Sequence, residues 1–132
     1  MSWDVFIQHL PASALSVDDV PDDFTPLPLG TRAEVVEKIR RTFPELDLAD
    51  PTWGTVRTAD YEIDFALGAR EEEEIFCLAL HVHGDESVVP AIATLIEDLQ
   101  ARALDSWTGE FFEPEVARES IRRWRAYIEE SS

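Results

Sequence analysis

The stretch that most constrains the fold is residues 53–83, where three short segments of two-residue periodicity follow one another through short joints. Residues 53–58 lead across Ala59 and Asp60 into residues 61–67, and Gly68-Ala69-Arg70 with four glutamates then leads into residues 75–83. Segments this closely joined pair as an antiparallel meander, because a parallel neighbour needs a long crossover between strands. In the second segment Tyr61, Ile63, Phe65 and Leu67 share one face, and Glu62, Asp64 and Ala66 share the other. In the third, Phe76, Leu78, Leu80 and Val82 oppose Ile75, Cys77, Ala79, His81 and His83. A strand this apolar on both faces is expected at the centre of a sheet.

Helical spacing surrounds this meander. Thr31 and Glu34 form a capping box, and Ala33, Val36, Ile39 and Phe43 recur until Pro44, which predicts a helix over residues 32–42. After the meander Gly84 ends the last strand, and Ser87 is the expected cap of a helix with Pro90 in its first turn and a stripe of Val88, Ile92, Leu95, Ile96 and Leu99. Residues 103–112 are a short strand or an irregular arm, and Pro114 opens a third helix with Ala117, Ile121, Trp124 and Ile128 on one side. At the other end of the chain, residues 3–8 alternate as a strand. A strap at residues 10–30 follows, carrying four prolines and the anchors Val17, Val20, Phe24, Leu27 and Leu29. The acidic stretch around Asp47 and Asp50-Pro51 is expected to be a turn.

Helices separated by a run of strands indicate an α+β fold, a mainly antiparallel sheet with two or three helices packed on one face as a two-layer sandwich. No linker or repeat divides the 132 residues, so residues 1–132 are expected to form one domain with a C-terminal helix from about residue 114.

Charge narrows the partners. Asp and Glu number 28 against 11 Lys and Arg, a formal net charge of -17, and such a field repels nucleic-acid phosphates and anionic lipid headgroups. The partner classes that remain are a basic protein and a second copy of the chain. The single cysteine, Cys77, lies in an apolar run and is expected to be a buried small hydrophobe in a reducing compartment. Met1-Ser2-Trp3-Asp4 does not have the basic and apolar regions of a secretory signal, so a cytoplasmic location is expected.

One arrangement suits a metal. His81 and His83 lie two residues apart on one strand, and Glu62 and Asp64 do the same on its predicted neighbour, so each pair points to a single face and antiparallel pairing of the strands could bring all four together. Imidazole with carboxylate suits Zn²⁺ or a similar divalent ion, although Glu and His opposite one another are also an ordinary cross-strand pair. The third helix places Arg118, Arg122 and Arg125 at helical spacing beside Arg123. This stripe is expected to meet the domain's own carboxylates or to pair Glu119 with Arg123, with self-association as the sharper alternative. No nucleophile elbow, phosphate-binding loop or calcium loop is present, so no cofactor and no catalytic residue are assigned.

Four patches, Ser2-Trp3-Asp4-Val5-Phe6-Ile7-Gln8, Val20-Pro21-Asp22-Asp23-Phe24, Asp50-Pro51-Thr52-Trp53-Gly54 and Arg102-Ala103-Leu104-Asp105, together resemble a family of small uncharacterised acidic bacterial proteins of similar length. The resemblance covers about the first 112 residues, and it implies a bacterial, cytoplasmic, single-domain protein without implying any activity. The expectation is therefore a non-enzymatic interaction protein of immunity or antitoxin type, whose carboxylates occlude a basic active site. The alternative is a metal- or small-ligand-binding protein built on His81, His83, Glu62 and Asp64.

Overall fold

Alternating apolar residues on adjacent strands build one face of a seven-stranded antiparallel sheet. The computed structural model describes residues 2–50, 52–68 and 70–131; Pro51 of the Asp-Pro-Thr-Trp-Gly patch and Ala69 of the glutamate-rich joint lie outside them. The large sheet holds β1 (Trp3–Gln8), β3 (Asp47–Asp50), β4 (Trp53–Arg57), β5 (Tyr61–Ala66), β7 (Leu78–Gly84), β8 (Arg102–Asp105) and β9 (Glu110–Phe111) in the order β3-β4-β5-β7-β1-β8-β9. A second, two-stranded sheet pairs β2 (Gly30–Thr31) with β6 (Glu74–Ile75). β7 is the middle strand, as its two-sided apolar pattern requires, and β1 returns from the start of the chain to lie beside it.

The register stacks the core in rows. Val56, Ile63, Val82 and Trp3 are successive partners across four strands, and Phe65, Leu80 and Val5 form the next row. All are buried, and they form a single cluster with side chains of three helices: α1 (Arg32–Thr42), α2 (Val89–Asp98) and α3 (Pro114–Ser131). The opposite sheet positions, including Asp4, Phe6, Glu62, Asp64, Ala79 and His81, are only half-buried. The molecule is therefore a two-layer α+β sandwich, with its helical layer on one face of the sheet.

Several local expectations are revised. In α1 the expected Ile39 and Phe43 are buried and Val36 packs against the core, but the first turn buries Arg32 and Val35 and leaves Ala33 exposed. Its first turn is fixed by backbone bonds from the amides of Arg32 and Ala33 to the carbonyls of Glu73 and Glu71, and that docking sets the difference. The Thr31–Glu34 capping box is present. Asp47 and Asp50 belong to an edge strand and not to a turn, because each carboxylate folds its own local amide while the backbone still pairs with β4.

The strand expected over residues 75–83 is broken after Ile75, since Glu74–Ile75 pairs with β2 before the chain enters β7. Phe76 and Cys77 at that break are exposed, so Cys77 is not a buried hydrophobe. Asp85 rather than Ser87 caps the helical stretch before α2, accepting the Ser87 amide at 2.9 Å, through a 3₁₀ turn over Glu86–Val88.

Within the strap Leu29 is buried and Val17, Val20 and Phe24 are half-buried, but Leu27 is 72% exposed. The strap is secured at its end by the Leu29 amide, which donates to the Ile75 carbonyl at 2.7 Å, and also near its start. Arg102 donates to the carbonyls of Pro11 and Ala14 at 2.8 and 2.7 Å while its guanidinium lies 3.6 Å from the centre of the Phe111 ring. Ala14 and Phe111 are buried there outside the main core cluster.

Candidate functional site: the sheet face opposite the core

Two-residue periodicity puts every second side chain of the large sheet on the side away from the helices. The register lines them up across the strands: Asp47 opposes Thr55, Thr55 opposes Asp64, Asp64 opposes His81, and His81 opposes Asp4. Three carboxylates, one hydroxyl and one imidazole thus cross five adjacent strands in one row. Thr55 Oγ1 donates to Asp64 Oδ1 at 3.0 Å, and His81 Nδ1 lies 2.8 Å from Asp4 Oδ1. A carboxylate only accepts, so Nδ1 carries a proton in this pair. Ser2 Oγ donates to the same Asp4 oxygen.

Trp53 borders the row, 42% exposed, with its ring centroid 5.7 Å from that of His81. Beside it a shallow groove of about 270 Å³ is lined by Asp47, Ala49, Asp50, Trp53, Thr55 and Arg57. The Thr52 hydroxyl and amide both donate to Asp50 and hold its carboxyl below the usual range.

The four residues singled out for metal binding share this face, with Asp64 opposite His81 and Glu62 opposite His83. Their side chains take separate partners: Asp64 meets Thr55, His81 meets Asp4, Glu62 accepts from Arg57 Nε at 3.0 Å, and the His83 ring lies 6.4 Å from that of Trp124. Among the described residues no group of three or more His, Cys, Asp or Glu is placed to hold a metal ion. Sequence reasoning missed Asp4, Asp47 and Thr55. The alternation around Asp4 was visible, but no local pattern announces that the first strand pairs with the seventh.

The arginines of α3 meet the protein's own carboxylates. Arg122 Nε and Nη2 both donate to Glu86 Oε2, at 2.9 and 2.5 Å, and this bond holds the Glu86 carboxyl below its ordinary value, with Arg118 adding attraction. Arg125 acts in the same direction on Asp85, after the larger effect of the Ser87 hydroxyl and amide. Arg123 pairs with Glu119 one turn earlier at 2.7 Å. The stripe thus overlies the acidic cap that leads into α2, and α3 offers less free positive charge than its sequence suggests.

No family model, curated protein or solved structure matches this chain, so its function is read from its own geometry.

Proposed function

We propose that this chain is a non-enzymatic binding protein that presents the acidic part of its sheet, opposite the buried core, to a basic surface on a partner protein, as an immunity protein occludes the cationic active site of a nuclease-type toxin. The observation that carries the reading is the row of Asp47, Asp64 and Asp4 across the sheet face opposite the buried core. With a net charge of -17 behind it, the row gives a basic partner a steered approach and a fixed place to dock. Rigid strands hold the carboxylates in place before binding, which lowers the ordering cost of association.

The test compares tagged protein with the triple variant Asp4→Asn, Asp47→Asn, Asp64→Asn as bait in extract of the source cells, at low and at high salt. Basic proteins should be retained by the native chain at low salt and released by the variant. A retained set without basic proteins, or one the variant retains equally, overturns the proposal.

A further inference from the structure

In a chain of net charge -17, α3 is neutral: it carries four arginines and four glutamates. One flank, with Arg118, Arg122 and Arg125, is turned to Glu86 and Asp85. The other runs beside the turn that joins β8 to β9. Along it Val116, Glu119, Arg123 and Tyr127 recur at spacings of three and four, so they form one ridge. A crevice of about 60 Å³ lies between this ridge, Ser120 and Thr108 of the turn, and the Trp107 ring centroid stands 5.4 Å from that of Tyr127. Trp107 is 40%, Tyr127 46% and Val116 49% exposed. Exposed aromatics gathered beside an arginine have the composition of an interface centre and not of a solvated helix face.

The order of the ridge selects its occupant. Turned end for end about a two-fold axis near residue 121, the ridge meets its own image with Val116 opposite Tyr127 of a second copy and Glu119 opposite Arg123 of that copy. Apolar then meets aromatic, acid meets base, and every contact occurs twice, as a closed two-fold interface requires. A parallel alignment would set Glu119 against Glu119. Because α3 is neutral, two acidic copies approach along it without opposing blocks of carboxylate.

We infer that this flank of α3 is a homodimer contact, packed antiparallel against α3 of a second copy. Val116 and Tyr127 stand about 16 Å apart along the helix, so the contact is one helix and one turn wide and belongs with small, reversible interfaces. The inference does not depend on the proposed basic partner. α3 packs on the core side of the sheet, so pairing leaves Asp4, Asp47 and Asp64 open in both copies and gives the dimer two acidic faces.

Sedimentation equilibrium at low and high salt tests it, in reductant so that the exposed Cys77 links no copies. The native chain should dimerise more tightly at high salt, because screening removes the repulsion between the two net charges and leaves the apolar contact. Tyr127→Ala, at a half-exposed position, should weaken the dimer about tenfold or more. Arg123→Glu should also weaken it by setting acid against acid, and adding Glu119→Arg should restore it, since exchanged charges still pair across the axis. A chain that stays monomeric at both salts up to about 500 µM overturns the inference. So does a dimer that either single variant leaves unchanged, or a double variant as weak as Arg123→Glu alone. A dimer that tightens at low salt and is lost on substituting Asp4, Asp47 and Asp64 by Asn places self-association on the sheet face and overturns it as well.

Discussion

Gly84 ends β7 directly opposite Tyr61, between His83 and the capping residue Asp85. Its φ is +151°, and an added Cβ would lie 2.4 Å from Tyr61 Cβ, 2.7 Å from the Asp60 carbonyl oxygen and 2.7 Å from Tyr61 Cα. Two of those three atoms belong to paired backbone and cannot rotate away. Gly84→Ala therefore combines about 1–3 kcal/mol of backbone strain with about 1–3 kcal/mol of overpacking, a loss of about 4 kcal/mol in all. Gly109 is the internal control. Its φ is +74° and nothing lies within 4 Å of an added Cβ, so Gly109→Ala incurs strain alone, about 1 kcal/mol. Urea unfolding followed by circular dichroism at 25 °C gives both values from midpoints and slopes. Equal losses for the two variants, or a Gly84→Ala loss under about 1 kcal/mol, would refute the claim that close approach to Tyr61 dominates.

Three further outcomes are expected. Trp3 Nε1 donates to Ser120 Oγ at 3.1 Å with both residues buried, so Trp3→Phe should cost more in native protein than in the Ser120→Ala background, with a coupling of about 1 kcal/mol in a double-mutant cycle. The Thr31 amide, then its hydroxyl, hold the Glu34 carboxyl below its ordinary value. The stability this lends is complete above the ordinary glutamate pKa and lost as pH falls through the lower native value, so Glu34→Gln should flatten that part of the acid-unfolding curve; an unchanged curve refutes it. Asp105 is 1% exposed, its Oδ1 accepts the Trp107 amide at 2.9 Å, and its Oδ2 has no hydrogen-bond partner among the described residues. Asp105→Asn keeps the accepted bond but puts an amide nitrogen with two donors where Oδ2 has no partner, so thermal unfolding should show a loss of about 1–3 kcal/mol, and an unchanged or raised stability would refute it.

What the sequence disclosed follows from the range of each physical signal. The faces of β5 and β7 are legible because period-two alternation is local, and Glu62, Asp64, His81 and His83 do share a face. The partners of those side chains are not legible: Asp4 and His81 stand 77 positions apart, and only the return of β1 to the sheet centre joins them. β3 escaped notice because Asp47 and Asp50 fold local amides as turn residues do while their backbone still pairs at the edge. The first turn of α1 was displaced because residues 71–73, beyond any helical window, dock it. Phe76 lost its expected place beside Leu78 to the break between β6 and β7.

The position of β1 between β7 and β8 also governs the order in which the sheet can be assembled. β3, β4, β5 and β7 are consecutive strands of the large sheet and can zip locally, whereas the β8–β9 hairpin cannot join them until β1 fills the slot beside β7. The slot is narrow and highly specified, with Val5 between Leu80 and Asp105 and Ile7 between Leu78 and Ala103. A chain without its opening segment would hold two unpaired strand edges, and a synthetic peptide of residues 2–9 could complete it in trans. An early strand thus waits for β7 and in turn provides the edge on which β8 is seated.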